Sequence, residues 1–365
     1  MEGLVNPSAA FWRGKHVMVT GHTGFKGSWL CHWLLRLGAS VTGLALAPDT
    51  EPSLFAQSRL ADRLVSHLDD VRDLAATRRA VAAARPEIVL HLAAQSLVRR
   101  SYADPVGTFA TNVLGTAHVL EAARNIAGLR AIVSVTSDKC YRARDDGAPH
   151  RETDPLGGAD PYSSSKACAE LVTGAYRLAF FAGKPSTVAV ASVRAGNVIG
   201  GGDWAADRLV PDCVRAFASG RPVALRNPRA VRPWQHVLEP IAGYLVLAER
   251  LWNDPTYAEA WNFGPDDGDA LPVSAVVERI ARAWGGNAGW TMQAGEHPHE
   301  TAELRLDSTK ARARLGWRPR LKLDQALDWT VDWYRRSGAG EPAQRLVEAQ
   351  IAAYETAYET GSLSA

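Results

Sequence analysis

Six short apolar runs punctuate the first 200 residues, at 16–20, 41–46, 64–68, 88–93, 131–136 and 187–193. They are near-continuous rather than alternating. Successive side chains of a strand point to opposite faces, so an unbroken apolar run has to be buried on both. Helical patterns at 28–37, 74–85 and 113–125 fall between them. Alternation of this kind predicts an α/β fold, a doubly wound Rossmann-type parallel sheet with helices on both faces. After about residue 200 the pattern changes. Pro211, Pro222, Pro228, Pro233 and Pro240 crowd into 30 residues, and one further strand is expected at 261–263. The sheet domain is therefore expected over 1–200, with a segment near 232–262 returning to it. A smaller, irregular domain is expected over 201–365. Its last helix, 344–360, has its apolar positions at irregular spacing, and the final residues are expected to fray.

The chain is 46% hydrophobic and 22% charged, enough apolar surface for a large core. Its 41 basic and 39 acidic side chains leave a net charge of +2, which argues against a general binder of nucleic acid or membrane surfaces. Cys31, Cys140, Cys168 and Cys213 lie far apart, so neither a zinc ribbon nor a disulfide framework is expected. No apolar run reaches the roughly 18 residues of a membrane span, and residues 1–10 lack a signal-peptide pattern. The expectation is a cytoplasmic protein. Only seven of the 41 basic residues are lysine, so each lysine merits locating.

Three motifs carry chemistry. The first, GHTGFKG at 21–27, follows the first strand directly and opens a helix. Glycines there let the backbone approach a pyrophosphate, and the helix N-terminus supplies N–H groups and partial positive charge. This spacing, G-x-x-G-x-x-G, in this context predicts a nicotinamide cofactor. An acidic residue about 20 positions on would bind the ribose of NAD. Asp49 stands near that distance but is equally well a turn residue. No arginine follows until Arg59, so nothing is offered to a 2′-phosphate, and NAD is favoured. Asp70 could accept from the adenine amine. The second motif is Y-x-x-x-K, Tyr162 to Lys166, whose side chains share a helix face. The ammonium of Lys166 is expected to pull the phenol of Tyr162 from its usual value of about 10 toward neutrality, making it a base for an alcohol. The bland alternative is a solvated pair. The third is Thr136-Ser137-Asp138-Lys139 at the end of the fifth strand, the edge where such sheets bind ligands. Alone, it could be a polar loop.

Together with HLAA at 91–94, these motifs resemble the extended short-chain dehydrogenase/reductases. More narrowly, GHTGFKGSW (21–29), SDKCY (137–141), DPYSSSK (160–166), RAGNVIGGGDW (194–204) and RPWQHVLEP (232–240) resemble the nucleotide-sugar 4,6-dehydratases of that family. Lys139, where related dehydratases usually carry glutamate, is similar to the branch acting on CDP-glucose. The resemblance implies bound NAD and an internal redox elimination, with CDP-glucose as substrate. Tyr162 would take the 4-hydroxyl proton, Ser137 would position that hydroxyl, Lys139 would be the base at C5 and Asp138 the acid at the 6-hydroxyl. Asp138 would then have to be protonated and Lys139 neutral, so the two side chains should be apart or share one proton. The implied cofactor contacts are Gly21, Thr23, Gly24, Phe25 and Gly27 of the turn, then Asp70 and Val71. They continue through Leu92, Ala93, Ala94 and Thr111 to Thr136, Tyr162, Lys166 and Arg194.

Arginines 194, 208, 226, 229 and 232 cluster in sequence, and guanidinium forks suit a diphosphate. Gln95, Ser96, Asn197, Arg208 and Arg232 are the implied substrate contacts, although any one arginine could be merely solvated. Trp204 and Trp234 could stack on a base or simply pack. His297 and His299 are read as part of a substrate-side loop, not as metal ligands, because no third ligand is evident. A 4-epimerase, another nucleotide-sugar dehydratase and a nonenzymatic NAD-binding regulator remain the competing readings. The Asp138–Lys139 pair argues against the first, and the retained Tyr–Lys pair against the last. Resemblance to the family also implies a homodimer through helices at 113–125 and 162–180.

Overall fold

A computed structural model of the chain describes residues 5–144, 146–183, 188–286, 288–293 and 304–360, with side chains to 356. Seven parallel strands form the main sheet: β1 (His16–Thr20), β2 (Ser40–Ala45), β3 (Val65–Leu68), β4 (Ile88–His91), β5 (Ala131–Val135), β6 (Ala189–Ala195) and, after a long excursion, β10 (Ala260–Phe263). Their order is β10-β6-β5-β4-β1-β2-β3. The chain winds outward from β1 to β3, then crosses back to β4 and winds the other way. Between β1 and β4 the strand ends diverge into a crevice, the usual ligand position in such sheets.

Double-sided burial explains the unbroken apolar runs. Met18, Val89, Ile132 and Val190 join one core, under the helices Leu74–Ala84 and Gly115–Ala123. Val17, Val19, Leu90 and Val133 join the other, larger core with Trp29, Trp33 and the helix Leu238–Asn253. At the edge, β3 leaves Val65 and Leu68 exposed.

Several boundaries differ from expectation. The helix opened by the glycine turn is Phe25–Arg36 and begins three residues before the expected start, because the glycine turn itself forms its first turn with Gly24 as N-cap. The expected helix at 113–125 starts as a π-helical segment, Ala110–Leu114, and continues as Gly115–Ala123. The helix bearing Tyr162 is Pro161–Tyr176, followed by a π segment, Arg177–Phe181. Its start is fixed by Pro161 in the first turn and by Asp160, whose carboxylate accepts from the Ser163 N–H (2.9 Å) and hydroxyl (2.5 Å).

The later chain forms a three-stranded sheet of β7 (Asn197–Ile199), β9 (Val231–His236) and β11 (Ala270–Pro272). A two-stranded one joins β8 (Val223–Leu225) and β12 (Trp290–Met292). Pro211 and Pro240 fall in the first turns of Leu209–Ala218 and Leu238–Asn253, where no intrahelical N–H is required. In the helix Ala343–Thr360, Ala343, Leu346, Val347, Ile351 and Tyr354 are buried. These positions follow the helical period, so the spacing read as irregular is one regular face. That face docks on Phe25–Arg36, where Glu355 accepts from Trp33 Nε1 and Arg36 Nε, both at 2.9 Å. Among the described residues no helix is long and apolar enough to cross a membrane.

Candidate active site

The glycine turn builds the floor. Gly21 has φ +78°, and a Cβ on it would lie 2.8 Å from the Ala93 nitrogen. A Cβ on Gly27 would lie 2.0 Å from the Gly21 carbonyl oxygen. These two glycines let turn, helix and the loop after β4 pack together. Gly24 does something else. No side chain caps the helix there, and a Cβ would meet only the Gly21 oxygen at 3.4 Å. The helix thus turns its positive end and uncapped N–H groups toward open space. Thr23 ties the turn to β2 by donating to the Leu46 carbonyl (2.8 Å).

A buried chain of hydrogen bonds braces this floor. The Thr20 hydroxyl accepts from the N–H groups of Leu92 (3.2 Å) and Ala93 (3.1 Å) and donates to His91 Nδ1 (2.7 Å). The Thr116 hydroxyl donates to the Asn112 carbonyl (2.7 Å), so it accepts from His91 Nε2 (3.0 Å). Burial pushes His91 down to about 3, which keeps it neutral. Asn112 accepts from the Gln95 N–H (2.8 Å) and donates to the Ser165 hydroxyl (2.8 Å), linking the floor to the helix of Tyr162.

Above the floor opens a cavity of about 820 Å³, at the carboxyl ends of β1, β4, β5 and β6. The implied catalytic, cofactor and substrate contacts line it except Arg194, and of the clustered arginines, Arg208, Arg226 and Arg232 line it while Arg194 and Arg229 do not. At one end lie Ser137, Asp138, Lys139, Tyr162 and Lys166. Asp138 is buried, and burial holds its carboxyl above the usual carboxylate range, against the pull of Lys139, the Ser137 hydroxyl and Arg232. Its Oδ1 accepts from Ser137 Oγ (3.0 Å), while its Oδ2 is buried without a hydrogen-bond partner. No ion pair joins Asp138 to Lys139 among the described residues. A buried, protonation-prone carboxyl with one unused oxygen suits a general acid.

Tyr162 departs from expectation. Burial pushes its phenol up to about 12, and the opposing pulls are the Ser137 hydrogen bond and Arg208, not Lys166. The Lys166 ammonium lies 3.5 Å from the Val135 carbonyl and is itself lowered to about 8 by burial, held up by Glu170. Desolvation outweighs the local charge, which favours the phenol form of Tyr162.

Arg194 also needs correction as a cofactor contact. It lies 2.7 Å from Glu170 and 2.7 Å from the Tyr141 hydroxyl, with both charged side chains about 3% exposed. Glu170 further accepts from Thr136 and from Ser192 (2.7 Å). The pair cross-links β6 to the Tyr162 helix behind the cleft. Thr136 lines the cleft with its hydroxyl spent on Glu170. Gln95 likewise faces the cleft but folds its amide into its own loop, onto Leu97 (3.0 Å) and Thr108 (2.9 Å). Arg208 is ion-paired with Asp203 (2.9 Å) and donates to Ser96 (2.7 Å). Asn197 and Arg232 line the same part of the cleft, and Arg232 donates to the Val231 carbonyl (2.9 Å). Trp204 and Trp234 are wall residues, their indole N–H groups spent on Gln57 (3.0 Å) and Leu271 (3.1 Å). His297 and His299 lie outside the described residues.

Several charged cleft residues escaped the sequence reading. Lys26, inside the glycine turn, points into the cleft 3.5 Å from the Tyr244 hydroxyl. Burial, helped by Arg208 and Lys166, lowers it to about 7. Its signal was the scarcity of lysine. Arg72 and Arg100 also line the cleft, yet each is matched by a carboxylate, Asp70 at 2.5 Å and Asp49 at 3.6 Å. Asp70 is held below the carboxylate range by Arg72. The uncapped helix end, the bare face of Gly24 and the neutralised arginines fit a dinucleotide lacking a 2′-phosphate.

The fold and site define a nucleotide-sugar-modifying enzyme of the short-chain dehydrogenase type. The family described as GDP-mannose 4,6 dehydratase matches residues 18–330, and the chain belongs to it. It is 49% identical over 95% of its length, and 98% of the relative's, to the CDP-glucose 4,6-dehydratase of Salmonella typhimurium. Among solved structures, it is similar to the Thermus thermophilus UDP-glucose 4-epimerase in complex with NAD (TM-score 0.76, 27% identity, 87% of this chain and 98% of that one). A dTDP-glucose 4,6-dehydratase of Streptomyces venezuelae with NAD bound is also similar (TM-score 0.74, 26% identity, 90% and 99%).

Proposed function

We propose that this protein catalyses the NAD-dependent 4,6-dehydration of CDP-glucose to CDP-4-dehydro-6-deoxyglucose, as a hydro-lyase. The observation that carries this reading is the Ser137-Asp138-Lys139 turn beside Tyr162, in a chain 49% identical to a curated CDP-glucose 4,6-dehydratase. An epimerase needs no acid and base for elimination across C5 and C6. The amides of Phe25 and Gly27 would hold the NAD diphosphate, with Leu92, Ala93, Ala94, Thr111 and Val71 along its length and Asp70 toward the adenine. NAD held there would supply the hydride acceptor for C4 and the hydride donor for C6. Tyr162 removes the 4-hydroxyl proton, with the Ser137 hydrogen bond and Arg208 favouring its phenolate and Lys166 one helical turn on, and Ser137 orients the hydroxyl. The resulting 4-ketone acidifies C5–H, from which Lys139 withdraws the proton, and Lys139 returns it to C5 as C6 is reduced. Asp138 protonates the 6-hydroxyl, which leaves as water. Arg208, Arg232 and Asn197 hold the nucleotide end, with Gln95 and Ser96 shaping the sugar end.

In this reading, residues 1–200 with the returning segment 232–262 bind the cofactor, and most of 201–365 binds substrate. The return of β10 and of the helix Leu238–Asn253 to the main sheet supports that division. A homodimer is supported by exposed Val106, Leu114, Leu171, Leu178 and Phe180 on adjoining helices. Sedimentation equilibrium should give twice the chain mass of 39.4 kDa, and a single-chain mass at micromolar concentration would exclude it. The reaction is tested by incubating the purified protein with CDP-, dTDP-, GDP- and UDP-glucose and reading the 4-keto product by its absorbance in alkali. Product from CDP-glucose is expected, and its absence would refute the assignment.

A further inference from the structure

Two cleft arginines from distant parts of the chain meet on one carboxylate. Arg99 comes from the loop and short helix after β4, and Arg226 directly follows β8. Asp207 accepts from both, at 2.8 Å from Arg99 and 3.0 Å from Arg226 on the same oxygen, Oδ1. Arg226 also reaches toward the Asp207 carbonyl (3.5 Å). All three line the cleft beside Arg208, and their side chains keep 44%, 22% and 40% exposure for Arg99, Arg226 and Asp207. Among the described residues, Asp207 is also one of three non-glycine residues with positive φ, at +62°.

Partly exposed ion pairs contribute little stability each. A left-handed backbone is uncommon outside glycine, though Asp and Asn tolerate it. This arrangement is therefore poor value as a structural prop. Its geometry is that of an anion gathered between two guanidinium forks across a cleft mouth, and a phosphate competes for such forks on the same terms as a carboxylate. Arg208 next door is paired with the buried Asp203, whereas the carboxylate that Arg99 and Arg226 share is exposed enough to be exchanged.

We propose that Asp207 is an internal stand-in for a phosphate of the substrate's nucleoside diphosphate, displaced from Arg99 and Arg226 when that diphosphate enters. The inference rests on the nucleotide-sugar reading above and adds a residue that opposes binding. Asp207 sets the affinity of the mouth from below and re-pairs the arginines as the product leaves.

The test is calorimetric titration of CDP into the full-length wild type, Asp207→Asn and Asp207→Gly. Both replacements accept a left-handed backbone, so the fold should survive, and a urea midpoint checks it. Removing the competing carboxylate should tighten CDP by about 3- to 10-fold, the worth of two exposed ion pairs. Adding Arg99→Gln to Asp207→Asn should abolish that gain. NAD affinity should not move. CDP affinity that is unchanged or weaker in both folded variants would overturn the inference, as would a gain seen for NAD instead of CDP. A wild type that binds CDP and turns over CDP-glucose while the variants fail this pattern leaves the reaction standing and removes only the role of Asp207. A wild type that does neither removes both.

Discussion

At the residue scale, the same letter serves two environments, and sequence separates them poorly. Arg194 and Arg208 both stand in motif-like contexts, yet one is locked to Glu170 behind the sheet and the other faces the cleft. That Asp138 and Tyr162 face the cleft was legible, because position after a strand or on a helix face already places them there. Their proton affinities were not, since burial depends on neighbours far along the chain. Asp138→Asn keeps the shape but cannot donate to the 6-hydroxyl. It should lower formation of the 4-keto product by about 10²- to 10⁴-fold, as should Tyr162→Phe. Nucleotide binding by calorimetry should stay within a few-fold of wild type. Lys26 gives a pH test. Its folded value near 7 lies below the 10.5 of a free lysine, so between those values the unfolded chain holds the extra proton. Stability contributed by this site therefore rises with pH through that window. Lys26→Met should raise the urea midpoint of the unliganded protein most at pH 6, with the advantage shrinking by pH 10.

At the scale of elements, strands buried on both faces were readable, because an apolar run is its own signature. Strands β7, β8, β11 and β12 were not. Each has three residues, too few to show a period, and each exists only through a remote partner, as Trp290–Met292 does through Val223–Leu225. The helix of Tyr162 was found, but its anchorage was not. The Glu170–Arg194 pair fixes that helix to β6 with both charges buried. Breaking such a pair strands a charge, at a cost of about 3–5 kcal/mol. Arg194→Met should cost this much in urea unfolding, and Arg194→Met with Glu170→Leu should recover much of it. If the single variant is as stable as wild type, the pair is not the anchor.

At the scale of the whole molecule, one buried carboxylate joins three parts of the chain. Glu239, in the helix Leu238–Asn253, accepts from the N–H groups of Arg320 (2.9 Å) and Leu321 (2.7 Å) and from the Tyr354 hydroxyl (2.7 Å). Burial raises it to about 7 despite these donors. Between 4.5 and 7 the folded state holds the extra proton, so this site's contribution falls as pH rises through that window. Glu239→Gln should abolish that component. The difference in unfolding free energy between variant and wild type should drift in the variant's favour from pH 4.5 to 7 and then level off. A pH-independent difference would rule it out.

The position of β10 has a consequence for how the molecule comes into being. A ribosome that has emitted the first 200 residues has released six strands of the main sheet, but not the one that covers β6. Every residue of β6 is buried in the finished molecule, and its outer ladder is completed only when Ala260–Phe263 arrives. Until then the nascent chain presents an apolar edge, open to any other strand that can pair with it. A fragment ending near residue 200 would keep that edge permanently. The half of the chain proposed to bind the cofactor is therefore not separable by truncation, because its final strand, Ala260–Phe263, is delivered by the segment that follows it.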